Sequence, residues 1–482
     1  MRCPRLVALA TLLVPAAVAV AQDIRITGVT WVQSIDLRPL RRDSVLASAT
    51  TGTGTIRRTA DGRRVLCQEG DTWCGFLSSG ERESTRPFLQ DLGIAAWGLG
   101  EGISFHAQAR FRDALGSTGT AWPRVNDKFD VLQAYLELDR SRVRVRAGRL
   151  WSVGGLGAYG YDGGAVTLRH GAIDGDVFGG RALVQGLNEP YTSPELGAVE
   201  EYPPETSAWM FGGRVRARPG SSGAITLSYL RVLQDDRSGL YAERASADAA
   251  FRVAGIRLAA NWTQDLASNQ VNEARLRASR GLPGGLEVAV EGRRHRPYFE
   301  LWTIWGAFAP VGFDEGRATL GWRTGEGTFA FSASGAYRTY DEAGVGLEFA
   351  PLRTDGWRAS ADATWVPGEH FTATANYGVD IGFGSSQSDG TAGLQWHPSD
   401  RFDLGATASA LQTIYEFRVG TGRVLGMTGN ASMRLTNEAR LRVDAGIYRH
   451  RYTNDAPGAD WSQRRASVRL EWAVGSDPGA VR

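Results

Sequence analysis

Residue types that do covalent chemistry are sparse in this chain. Six histidines, His106, His170, His295, His370, His397 and His450, are scattered, and no Gly-x-Ser-x-Gly, His-Glu-x-x-His or Cys-x-x-Cys occurs. Without a nucleophile and base pair or a ligand set at metal spacing, the expectation is no enzyme, no cofactor and no metal. Cys67 and Cys74, in LCQEGDTWCGF, suit a small disulfide-closed loop in an exported chain. What the sequence does repeat is charge at every second position. Arg142, Arg144 and Arg146 form one such ladder; Arg214, Arg216 and Arg218 form another. Arg275 and Arg277, Arg440 and Arg442, and Arg465 and Arg469 follow the same rule, with Arg293 nearby. Acidic residues share these faces, among them Glu137, Asp248, Glu273, Glu287, Glu291, Asp362 and Asp444. Such a face is a solvated, mutually paired ionic lining, and a surplus of arginine along a pore favours anions.

The elements that carry these ladders are strands. In GISFHAQARFRD, Ile103, Phe105, Ala107, Ala109 and Phe111 fall on one face and Ser104, His106, Gln108, Arg110 and Arg112 on the other. The alternation recurs to the end of the chain, always with one charge-free apolar face. Ten short turns, from Gly98–Gly102 to Thr436–Ala439, alternate with longer connections such as 36–86, 113–127, 183–207, 298–313, 340–355 and 452–462. Counting between them gives about 22 strands, both ends on the short-turn side. An even number of strands, short turns at one end and long loops at the other predict an all-β, single transmembrane antiparallel up-and-down β-barrel of the outer membrane.

The start of the chain, MRCPRLVALATLLVPAAVAVAQ, reads as a secretory signal over 1–21. Cys3 precedes the apolar run, which argues against a lipid anchor. The barrel is expected over 22–475 and a short periplasmic extension over 476–482. No later apolar run is long enough for a helical span. Trp97, Phe251, Trp322, Trp365, Trp396 and Trp472 precede short turns or the chain end, and Phe329, Phe371 and Phe402 follow them, as an interfacial girdle requires. A net charge of +2 argues against a nucleic-acid partner.

The segment 132–178 resembles the hairpin of alginate-export and phosphate-selective porins. Ala134, Tyr135 and Leu136 stand in the first strand, Arg146, Gly148 and Arg149 in the second, and Asp162 and Gly163 in the third. The resemblance implies a diffusion channel or export pore. The strand number exceeds what those families show, and the last strand is followed by SDPGAVR instead of ending on an aromatic. TonB-dependent receptors match the strand number, but strand one follows the signal too closely to leave room for a plug domain.

The expected function is therefore passive diffusion or export of small polar or anionic solutes or oligosaccharides, with outer-membrane lipid around the barrel and oligomeric state left open. The alternative is a non-conducting surface barrel whose long loops bind a partner, polymer or lipid. A barrel this wide needs a constriction. The candidates are loop 36–86; loop 183–207, with Glu200 and Glu201 in an acidic run; and loop 298–313 of RPYFELWTIWGAFAPVGFDEG, with Trp302, Trp305 and Phe308.

Overall fold

A computed structural model describes residues 23–38, 40–116, 128–183, 208–220, 222–234, 240–296, 311–341, 354–382, 385–416, 422–452 and 460–476. One antiparallel sheet contains 23 strands, and all but the three-residue strand Glu83–Thr85 run along the wall, leaving 22. In chain order these are β1 (Asp23–Leu37), β2 (Pro87–Gly100), β3 (Ile103–Ala114), β4 (Phe129–Asp139), β5 (Val143–Gly154), β6 (Gly157–His170) and β7 (Ile173–Ala182). Next come β8 (Ala208–Ala217), β9 (Gly223–Gln234), β10 (Leu240–Val253), β11 (Ile256–Asp265), β12 (Gln270–Leu282), β13 (Leu286–His295), β14 (Phe313–Arg323) and β15 (Phe329–Tyr340). The wall ends with β16 (Asp355–Gly368), β17 (Phe371–Gly382), β18 (Ser385–Ser399), β19 (Phe402–Glu416), β20 (Gly422–Thr436), β21 (Ala439–Tyr452) and β22 (Trp461–Gly475).

Each strand pairs with its sequence neighbour, and β1 pairs with both β2 and β22, from Arg25 opposite Gly475 to Leu37 opposite Gln463. That last ladder closes the sheet, so the wall has no free edge, the condition for crossing lipid with strands. The ten connections at one end are two to five residues long, as between His170 and Ile173 or Thr436 and Ala439. Short turns identify the periplasmic end.

Alternation sets what each face meets. On β20, Leu425, Met427 and Met433 point outward and are exposed, Met427 to 61%. Val288 and Val290 of β13 and Val443 and Ile447 of β21 do the same. Apolar side chains this exposed on a continuous band are stable only against lipid. Aromatic rings mark the lower edge of the band. Trp322 packs on Phe329 at 5.9 Å and Trp365 on Phe371 at 6.2 Å, with Trp396 directly opposite Phe371 on β18. Higher on the wall Trp357 meets Tyr337 at 4.6 Å. Trp97 does not join the lower ring. It stands opposite Ser104 on the inner face, two residues along from Ala95, and sits edge-on to the inward-facing His106, 6.0 Å away. The fold is thus an outer-membrane β-barrel.

Loop 36–86 is itself structured. Leu40–Leu46, Thr50–Thr51, Ile56–Thr59, Arg64–Leu66 and Trp73–Ser79 form a separate five-stranded sheet. Val65, Cys67 and Cys74 are its buried centre, and Cys67 is bonded to Cys74.

Candidate functional site

The interior of the barrel collects the charge. With neighbouring strands about 4.8 Å apart and tilted about 40°, 22 strands enclose a cylinder on the order of 40 Å across, backbone to backbone. The polar ladders face into it and are cross-linked. Arg144 pairs with Asp139 at 2.6 Å, Arg214 with Asp176 at 2.9 Å, and Arg275 with Glu291 at 2.6 Å, Arg277 reaching the same carboxylate at 3.5 Å. Arg293 pairs with Glu273 at 2.7 Å, Glu287 with Arg257 at 2.5 Å, Arg440 with Asp403 at 2.8 Å, Arg442 with Asp444 at 2.9 Å, and Arg469 with Glu471 at 2.7 Å. Asp362 accepts a hydrogen bond from Ser332. Arg142 differs from its neighbours, because it lies in the exposed bend before β5 and not on a strand.

From β14 to β17 the pairs merge into a chain that sequence spacing does not reveal. Arg317 and Arg338 share Glu315, and Arg338 and Arg358 share Asp380. The Arg338 guanidinium also lies over the Phe313 ring, 4.6 Å from its centre. The members come from four consecutive strands, and the stagger between those strands decides which of them meet. By contrast, Arg146 and Arg216 form no ion pair among the described residues.

One hairpin leaves the wall. The connection between β5 and β6 is only Gly155 and Leu156, although it lies at the long-loop end. Its tip reaches inward-facing side chains of strands well beyond its neighbour. Arg214 on β8 donates to the Val153 carbonyl at 3.2 Å. A side chain on Gly155 would lie 2.5 Å from both Ser246 and Asp248 on β10. Since β6 and β10 are four strand spacings apart, the tip leans roughly 19 Å across the inner wall.

Glycine permits the bend. Gly148 on β5, Gly163 on β6 and Gly180 on β7 lie side by side in register. Gly148 has φ of +135°, a backbone conformation side chains rarely adopt. A Cβ on Gly163 would lie 2.1 Å from the Gly179 carbonyl oxygen, and one on Gly180 would lie 2.4 Å from that of Asp162. Above this row the three backbones crowd together, and only hydrogen side chains fit.

Beyond the bend the hairpin is seated by apolar contacts. Leu150, Leu156 and Tyr161 are buried with Phe178, Met210, Leu230, Val232 and Ala242 of β7 to β10. Tyr161 and Tyr159 lie 5.2 and 5.4 Å from the Phe178 ring. At the hairpin's base Arg149 grips Asp162 through two hydrogen bonds of 2.8 and 2.9 Å, and the Trp151 indole donates to the Leu132 carbonyl. This apolar cluster holds the hairpin against the inner wall of an otherwise ionic barrel. Sequence reading missed it, treating the stretch as wall; the available signal was the density of glycine over 148–164. Four residues of the porin-like segment, Gly148, Arg149, Asp162 and Gly163, are the ones at the bend. The loop candidates Trp302, Trp305, Phe308, Glu200 and Glu201 lie outside the described residues. Among the described residues no group of three or more His, Cys, Asp or Glu is placed to hold a metal ion.

The fold and lumen define a transmembrane barrel of the outer-membrane class with an ion-paired interior. No protein-family model and no curated protein matches the chain. Solved structures do resemble it. OccAB1 of Acinetobacter baumannii has 9% identity and a TM-score of 0.40, with 94% of this chain and 97% of that one covered. The outer membrane protein opdK of Pseudomonas aeruginosa has 9% identity and a TM-score of 0.41, covering 95% and 100%. OpdK with vanillate gives 11% and 0.37, covering 93% and 99%. At these values the likeness carries no statement about what this chain conducts or binds.

Proposed function

We propose that the protein is a passive outer-membrane channel for small polar or anionic solutes, narrowed from inside by the β5–β6 hairpin. The observation that supports this most directly is the contrast between a wide ionic lumen and one hairpin held against its inner wall by buried apolar side chains. A barrel built only as an anchor has no need of such an internal fixture. The Arg-rich lining, the likeness of 132–178 to alginate-export and phosphate-selective porins, and Arg146 and Arg216, which form no ion pair among the described residues, favour anions and anionic oligosaccharides as cargo. Loops 183–207 and 298–313 remain candidates for a further constriction in this reading. No catalytic step is involved.

The test is reconstitution of pure protein into planar bilayers with a salt gradient. Stepwise conductance with a reversal potential on the anion side is expected. Absence of any conductance from folded protein overturns the channel reading. The second reading, a surface barrel whose loops hold a partner, is favoured by the disulfide-closed sheet of loop 36–86, which presents a rigid unit on the outer side. A silent barrel that keeps a loop-dependent ligand is its signature.

A further inference from the structure

The outer wall changes character abruptly at the loop end of β20 to β22. Outward positions on β21 run Leu441, Val443, Ala445 and Ile447, then Arg449 and Arg451. On β22 the same face passes from Leu470, Val468 and Ala466 to Arg464, and on β20 from Met427 and Leu425 to Arg423. The inward direction of the alternate residues is fixed by contacts inside the barrel. His450 stacks on Trp461, and Arg465 lies over Tyr448. Hence Arg423, Arg449, Arg451 and Arg464 point outward, all exposed, just above the apolar band.

Their arrangement is unfavourable by itself. Arg423 lies directly opposite Arg451 in the ladder, and Arg449 is one step below on the same face. Like charges directly opposite across strands repel. Among the described residues none of the four forms an ion pair, although Asp36 stands opposite Arg464 and Asp460 lies at the foot of the adjoining loop. Elsewhere the same height is handled differently. Outward Arg294 is neutralised by Asp314 at 3.0 Å and Asp341 at 2.6 Å, and Arg231 faces Glu243 at 3.8 Å.

Four guanidinium groups that form no ion pair among the described residues, at the boundary between acyl chains and headgroups, call for an anion from the membrane. We propose that this patch binds the phosphorylated headgroup of a glycolipid in the outer leaflet. Guanidinium forks match phosphate oxygens bidentately, and the side chains lie where headgroup phosphates lie, with the apolar strand face below to take the acyl chains.

Full-length protein in detergent is incubated with a bisphosphorylated disaccharide glycolipid or its dephosphorylated form, and bound lipid is counted by native mass spectrometry. Wild type is expected to retain the phosphorylated lipid selectively. R423S/R449S/R451S/R464S is expected to lose at least about tenfold of that retention while keeping the folded-barrel gel mobility. If the fourfold variant does not fold, R449Q/R451Q gives a smaller loss in the same direction. Equal retention by wild type and folded variant, or of the dephosphorylated lipid, overturns the proposal. Complete displacement by millimolar inorganic phosphate also overturns it, by showing a free-anion site.

Discussion

Truncating Leu156 separates a hairpin that narrows the channel from one that merely decorates it. Leu156 is 3% exposed and sits at the tip, between Gly155 and Gly157, with Met210, Leu230 and Val232 in the same cluster. Removing a buried leucine side chain down to alanine costs about 2 to 5 kcal/mol. Closure of the 22-strand ladder does not depend on the tip, because β4 pairs with β5 only as far as Arg149 and β6 pairs with β7 up to Tyr161. The loss therefore falls on the seated hairpin and not on the barrel. At about 2.7 kcal/mol the seating equilibrium shifts by about a hundredfold. A tip seated about 99% of the time then spends about half its time away from the wall. In single-channel recordings Leu156→Ala is expected to flicker between the wild-type level and a larger one. Deleting 154–157 and joining the strands through two glycines is expected to hold the larger level steadily. Leu276→Ala, on the lipid face at 60% exposure, is the matched control. Wild-type conductance in both hairpin variants, with folded barrels in each, refutes the reasoning and moves the narrowing to another part of the chain.

The remaining expectations concern charge, backbone and the loop sheet. Arg146→Glu with Arg216→Glu should move the reversal potential toward cations, most visibly at low ionic strength where screening is weak. An unchanged potential removes these two residues from the ion path. Gly163→Val places its Cβ 2.1 Å from the Gly179 carbonyl, a backbone atom that cannot step aside, so a loss of about 3 kcal/mol and poor recovery of heat-modifiable folded barrel are expected. Gly292→Ala, where an added Cβ meets nothing within 4 Å, should fold normally. Cys67→Ser should destabilise the loop sheet by roughly 2.5 kcal/mol, the entropy of a loop this short. Limited proteolysis then cuts within 40–79 while the barrel survives, and equal resistance in both proteins contradicts a stapling role for the bond.

The architecture was legible because a lipid-facing strand leaves no freedom in its pattern. One apolar residue at every second position, with turns at intervals the membrane thickness dictates, fixes strand, face and count together. All ten short turns fall where Gly102, Gly171, Gly255 and the other turn residues mark them. Trp97 departs from the ring for a plain reason: alternation from Asp91, which pairs with Arg110 inside the barrel, already puts position 97 on the inner face, so nearness to a short turn does not by itself place a ring against lipid. The ion-pair chain through Glu315, Arg338 and Asp380 was hidden for another reason. Alternation says which residues face inward, but which carboxylate meets which guanidinium depends on the stagger between strands.

Gly148, Gly163 and Gly180 show how one local departure can carry functional meaning in so regular a fold. Glycine in a strand interior weakens it. Three glycines in register across three strands are therefore a local loss of stability, tolerated where it lets the backbones close to distances a methyl group forbids. What that closeness gains is the lean of the β5–β6 tip and the burial of Leu150, Leu156 and Tyr161 against β7 to β10. The apolar side chains of that seat follow strand alternation like any others, but they are useful only because the backbone beneath them bends. Stiffening the row with alanine at Gly148, whose Cβ would lie 2.2 Å from the Ala134 carbonyl, should thus free the tip even though every seat residue is intact. The hinge and the seat act as one device, so the smaller change Gly148→Ala in the hinge and Leu156→Ala in the seat should reach the same larger conductance level.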